Sequence, residues 1–112
     1  MPVINMQNVH EYPDFPFPIS GVKFFEPDEY PGDCHYHDCD ELWIVLSGKA
    51  RVTSEGKEYT VVAEDIVWTR MGDEHQLLEI IESPFGVAYL EDKLKGQKRL
   101  GHMYREGKEP KK

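Results

Sequence analysis

The chain has 112 residues, 39% of them hydrophobic, which is apolar material for one core in one domain. No apolar run approaches the roughly 18 residues of a membrane-spanning helix, and two cysteines are too few for a disulfide scaffold. The formal net charge of −8 is unevenly spread, with 19 acidic against 5 basic side chains over residues 1–92, a body that repels nucleic-acid phosphates and anionic lipid.

The opening stretch MPVINMQNVHEYPDF has no basic segment followed by an apolar one, so a cytoplasmic location is expected. Four prolines from Pro2 to Pro18 alternate with Tyr12, Phe15 and Phe17. Each proline lacks a donor and restricts its predecessor, so residues 1–20 are expected to form an extended arm. Its rings need a surface, either on the same domain or on a partner subunit, and exposed Phe15 and Phe17 would make a homodimer the expected assembly.

From residue 22 onward, short runs rich in branched and aromatic residues occupy 22–25, 42–46, 50–54, 58–62, 65–68, 75–81 and 87–90. Turn signals separate them at Pro31-Gly32-Asp33, Ser47-Gly48-Lys49, Glu55-Gly56-Lys57, Met71-Gly72-Asp73 and Ser83-Pro84. This spacing predicts an all-β sandwich or barrel over residues 21–92. A two-residue loop at Gly48 would pair 42–46 with 50–54 as a hairpin, and a second hairpin would turn at Glu55-Gly56. In that register Glu41, Trp43, Val45, Ala50, Val52, Ser54, Tyr59 and Val61 face inward and Arg51 faces out. Leu42, Ile44 and Leu46 then form an outer face that needs cover. Residues 93–112 hold 8 basic and 2 acidic side chains and are expected to be a tail, solvated or frayed, upon the acidic body.

The informative stretch is His35-Tyr36-His37-Asp38-Cys39-Asp40-Glu41. A strand sends alternate side chains to one face, so His35 and His37 can grip one ion and Glu41 shares their parity. His75 opens the run 75–81 after a tight turn and supplies a further donor. Three imidazoles and a carboxylate suit a divalent first-row metal: Mn, Fe, Co, Ni, Cu or Zn. Octahedral coordination leaves two positions for water or substrate.

At these residues the sequence resembles the cupin superfamily, as a small RmlC-like cupin over residues 20–90. Its first motif, H-x-H-x(3,4)-E-x(6)-G, is matched by His35, His37, Glu41 and Gly48, and its second by Gly72 and His75. The second motif's leading glycine falls on Glu64, its proline on Arg70 and its final asparagine on Glu79. The resemblance implies a double-stranded β-helix, or jelly roll, with the metal inside its wider mouth.

Other residues carry weaker signals. Glu79 lies four residues after His75 and so shares its inward parity, which places it beside the metal as an acid or base. Arg70 can bind a substrate carboxylate in bidentate fashion. Trp43 is expected in the core, while the faces of Trp68 and Tyr89 are left open. Cys34 should point away from the metal, Cys39 can approach it, and His10 and His102 have no companions at ligand spacing. The expected function is a metal-dependent enzyme on a small oxygenated substrate, of isomerase, lyase, cyclase or dioxygenase type. The alternative is a sensor domain that binds a small molecule or metal without catalysis.

Overall fold

The computed structural model describes residues 3–5, 7–27, 34–92 and 103–105. Five strands run through them: β1 Ile19–Phe25, β2 Glu41–Ser54, β3 Lys57–Val62, β4 Ile66–Thr69 and β5 His75–Glu91. They join in one antiparallel sheet of order β1-β5-β2-β3, with β4 on the free part of β2. The result is the expected all-β jelly-roll architecture. No helix among the described residues is long and apolar enough to cross a membrane.

Two expected turns are bends within long strands. Ser47-Gly48-Lys49 does not reverse the chain: 42–46 and 50–54 are halves of β2, and both pair with β5. Ser83-Pro84, whose peptide bond is cis, likewise lies inside β5. Gly48 takes a φ of +79° where the two strands press together, and a Cβ there would meet the carbonyl oxygens of Glu82 and Pro84. Glycine signals close backbone approach as well as reversal, and here approach is the cause. Register shifts between Val45 and Val52 carry the inward set from Glu41 and Val45 to Ala50 and Val52. The inward faces expected for β2 therefore hold, by bulges and not by a hairpin.

The second expected hairpin is present, with Ser54 opposite Lys57 and both Glu55 and Gly56 at positive φ. Val61 of β3 faces in and is buried, whereas Tyr59 is 44% exposed. The core consists of Phe25, Val45, Ala50, Val52, Val61, Leu77, Phe85 and Val87, with Trp43, Val67 and Ile80 packed on it. Burying each of its larger side chains contributes about 1.5–3 kcal/mol. Within this core Phe25 packs on Trp43 at 5.4 Å and on Phe85 at 5.8 Å between ring centroids.

Opposed residues share a face, so the inner surface is built in rows. Tyr89, Trp43 and Val67 make one, and Glu91, Glu41 and Thr69 make the row at its end. That second row sets the floor of the site described below. Trp68 is on the outer face and 53% exposed, which closes the question left open by its sequence.

The arm contains one 3-10 turn, Val9–Glu11, held by Asn5 and Asn8, and β1 already begins at Ile19. Phe15 and Phe17 are half-buried and pack edge to face at 6.2 Å, so the expected exposed rings are partly covered within the arm itself. In the tail, residues 93–102 (with His102) and 106–112 lie outside the described residues. Met103, Tyr104 and Arg105 are docked on the body rather than frayed: Met103 pairs with Tyr36, and Arg105 with Glu55.

Candidate metal centre

His35 joins the body through its backbone: its N–H donates to His75 O at 3.0 Å, and His75 N–H donates back to His35 O at 2.8 Å. That bridge fixes two histidines side by side. The chain then turns through 38–40, where Asp40 accepts from Met71 N–H at 2.8 Å and from the Trp68 indole at 3.2 Å. Gly72 N–H donates to His37 O at 2.9 Å. These bonds press the His37–Glu41 corner against the turn that precedes His75. Within their strands, Glu41 and His75 turn to the buried inner face.

The three imidazoles meet, with ring centroids 5.0 Å apart for His35 and His37, 4.3 Å for His35 and His75, and 5.3 Å for His37 and His75. One donor atom from each lies within 4.8 Å of the others. Glu41 completes the group, its Oε1 standing 3.9 Å from His37 Nε2 and 3.8 Å from His75 Nε2. His37, Glu41 and His75 are 5%, 8% and 8% exposed. Ligands at about 2.0–2.2 Å from one ion sit roughly 3 Å apart at right angles, so modest contraction lets this set close on a metal. The structure thus brings together His35, His37, Glu41 and His75, and their donors fit a divalent ion.

Burial first and the neighbouring Glu91 second push the Glu41 carboxyl up to about 7, against a hydrogen bond with the Trp43 side chain that lowers it. Trp43 therefore belongs to the core and also touches the site. Glu91 is the residue that sequence reasoning missed. It lies opposite Glu41 across β2 and β5, with Oε1 3.5 Å from His37 Nδ1. With His37 and Glu41 it forms a second converging group. Cys39 is buried, and its thiol donates to the same oxygen at 3.5 Å. The available signal was parity: Glu91 continues the inward set of Val87 and Tyr89, one residue past the expected end of the strand at 90.

Two candidates lie elsewhere. Glu79 does not share the inward face of His75. Val52 opposes Leu77 while Arg51 opposes Glu79, so Leu78 is an extra residue that reverses the alternation. Glu79 is exposed and bonds Arg51 at 3.3 Å on the outer surface, where Arg51 also holds Glu58 at 2.6 Å. Arg70 is exposed and stacks on the Trp68 ring at 4.5 Å, on the outer side of the sheet.

The chain belongs to the cupin family: the Cupin domain model (Cupin_2) matches residues 22–84. It is 38% identical over 92 residues to y4oW, an uncharacterised protein of Sinorhizobium fredii, covering 82% of this chain but 42% of that one. The chain thus spans about two fifths of that curated relative. Its fold resembles a predicted oxalate decarboxylase from Thermotoga maritima, with a TM-score of 0.62 at 18% identity over 82% of this chain and 76% of that one. It also resembles the DMSP lyase DddQ from Ruegeria pomeroyi, with a TM-score of 0.61 at 20% identity over 72% and 41%. A cupin-2 domain protein of Shewanella frigidimarina gives 0.56 at 19% identity over 81% and 95%.

Proposed function

We propose that this chain is a metal-dependent cupin enzyme that holds a divalent first-row transition ion through His35, His37, Glu41 and His75. The observation that carries the proposal is the approach of two imidazole Nε2 atoms to one buried carboxylate oxygen, at 3.9 and 3.8 Å, beside a third imidazole. Removing four titratable groups from water is costly unless a bound charge compensates them. When bound, the ion would supply Lewis-acid polarisation of an oxygen on a small substrate, or dioxygen chemistry if it is iron, nickel or copper.

A cavity of about 370 Å³ between β3 and β4 gives room for such a substrate, with Val52, Tyr59, Val61, Val67 and Trp68 in its walls. Val52 and Val67 also line the small space beside Thr69 and His75. Two structural neighbours are named as a lyase and as a predicted decarboxylase, which favours bond cleavage in a small oxygenated molecule. Glu79 and Arg70 are not carried into this reading, because both side chains lie on the outer surface. We place the enzyme in the cytoplasm, where the thiols of Cys34 and Cys39 remain reduced, and assemble it as a homodimer.

The test is elemental analysis of protein purified without a histidine tag, followed by oxygen-uptake and turnover assays on small oxygenated compounds. Near-stoichiometric metal in the unmutated chain, falling to a small fraction in His37→Ala and in His75→Ala, is the expected result. Stoichiometric metal in a His35→Ala/His37→Ala double variant would defeat the ligand assignment.

A further inference from the structure

In an extended segment, successive residues direct their backbone groups to opposite edges. His35 uses one edge to pair with His75. Tyr36 uses the other: its N–H donates to Met103 O and its carbonyl accepts from Met103 N–H, both at 2.8 Å. The segment carrying two of the three imidazoles is therefore held by a single bridge on each edge. The start of β5 forms one side, and a residue from the C-terminal end of the chain forms the other.

The next two residues extend the contact. Tyr104 stands edge-on to the His35 ring, with centroids 6.3 Å apart and planes at 69°. Arg105 Nη2 donates to Glu55 Oε1 at 2.8 Å and to Gly72 O at 3.2 Å, while its guanidinium lies 6.0 Å from the Tyr36 ring. Glu55 is itself joined to Glu74, through Glu55 N–H to Glu74 O at 2.7 Å and Glu74 N–H to Glu55 Oε1 at 2.5 Å. Arg105 thus ties the β2–β3 hairpin to the turn before His75. Three consecutive residues touch the strand of His35 and His37 as well as the approach to His75.

We propose that Tyr104, delivered by docking of residues 103–105, is a positioning residue of the metal centre that holds the His35 imidazole in its ligating orientation. This rests on the metal reading above. His35 is the least covered of the three histidines, intermediate where His37 and His75 are buried, so its ring has the most freedom to lose. An aromatic edge on one side and the β5 bridge on the other remove that freedom before an ion arrives. Outer groups that orient a ligating imidazole act on affinity and on ligand-field geometry without touching the ion. The basic C-terminal end therefore serves the site through its aromatic residue, and Arg105 anchors it to an acidic hairpin.

The experiment uses the 112-residue chain loaded with Co(II), whose visible absorption reports ligand geometry, and compares Tyr104→Ala, Tyr104→Phe, Arg105→Ala and His35→Ala. Tyr104→Ala is expected to weaken Co(II) binding about 10-fold and to change the band shape. Tyr104→Phe should restore both, because the contact is made by the ring. Arg105→Ala should weaken binding more at low salt than at high salt. Hydrogen exchange at the Tyr36 amide gives a reading independent of metal: it should be protected in the unmutated chain and less so in Arg105→Ala. The proposal is overturned if Tyr104→Ala keeps unmutated affinity and spectrum, or if the Tyr36 amide is unprotected. If His35→Ala binds Co(II) as the unmutated chain does while Tyr36 stays protected, the ligand assignment has failed, and the positioning role falls with it although the tail is docked.

Discussion

His37 lies between two carboxylates, with Glu91 Oε1 3.5 Å from Nδ1 and Glu41 Oε1 3.9 Å from Nε2. The two acids are direct partners across β2 and β5, so the sheet register sets this arrangement. A carboxylate at Nδ1 favours the tautomer that carries its proton there and leaves the Nε2 lone pair for an ion. Glu91→Ala is expected to lower metal affinity by about 10- to 100-fold, and Glu91→Gln, which keeps an acceptor oxygen, by less. Competition titration against a chelator measures both. Equal affinity in all three proteins would remove Glu91 from the site.

Glu41 gives a signed pH dependence. Its folded carboxyl is raised from the ordinary 4.5 to about 7, chiefly by burial. The folded chain thus keeps a proton that the unfolded chain releases, so this stabilising contribution is complete below pH 4.5 and is lost as pH rises through 7. In metal-free protein, Glu41→Gln imitates the protonated form. Its stability should nearly match that of the unmutated chain at about pH 5 and exceed it at about pH 8, by on the order of 3 kcal/mol. Metal reverses the trend, because the ion takes the proton's place and needs neutral imidazoles. Loaded protein should lose metal and thermal stability together below about pH 5.5. A constant gap between the melting temperatures of loaded and metal-free protein from pH 8 to 5 would show that these groups do not hold the ion.

Gly48 separates two meanings of one sequence signal. A Cβ would lie against Glu82 O, 2.5 Å from Pro84 O and 2.9 Å from Phe85 Cα, all of them backbone atoms that cannot move aside cheaply. Gly72, at φ +85°, has nothing within 4 Å of the same position. Gly48→Ala should therefore cost more than about 3 kcal/mol in denaturant unfolding, and Gly72→Ala only about 1 kcal/mol of backbone strain. Similar losses in the two variants would mean that β2 and β5 are not packed together at Gly48.

Glu64 stands where the cupin second motif has its leading glycine, and it takes a φ of +78°. Its N–H donates to Val45 O at 2.8 Å, so the turn after β3 fixes that conformation. Glu64→Gly should raise stability by a few tenths to about 1 kcal/mol, since relief of strain exceeds the added chain entropy. A fall in melting temperature would count against the left-handed backbone at this residue.

What was legible in the sequence follows from local chemistry. Strand alternation and the two motifs pointed to His35, His37 and His75, which converge, and to Glu41 beside two of them, and the Glu55-Gly56 dipeptide was enough for its hairpin. The errors arose where counting by twos met a bulge. Leu78 shifts the alternation in β5, which sends Glu79 outward to Arg51, and no residue type marks such a bulge. Gly48 was visible as an irregularity, but whether a glycine reverses a strand or admits a neighbouring one depends on a partner 34 to 37 residues away, from Glu82 to Phe85. The docking of Tyr104 beside His35 joins residues far apart in the sequence and leaves no periodic trace.

The outer sheet face determines the expected assembly. Val22, Ala88, Ile44 and Ile66 are consecutive partners across β1, β5, β2 and β4, so their side chains form one row. Ser20, Leu90, Leu42 and Trp68 form the next row, and Phe24 covers Gly86 beside them. Neither row contains a charged side chain, although the chain as a whole is 30% charged. Val22, Ile44, Ile66 and Trp68 are 59%, 36%, 64% and 53% exposed, which makes a continuous apolar surface across four strands. Surfaces of that kind mark interfaces, and a flat face repeated on an identical chain is self-complementary about a twofold axis. Light scattering should give twice the chain mass of 13.0 kDa. Val22→Asp and Ile66→Asp should each shift the protein toward the single-chain mass while leaving the fold intact, because both side chains are exposed in the isolated subunit. A mass of 13.0 kDa for the unmutated chain at micromolar concentration would show that this face is left to water.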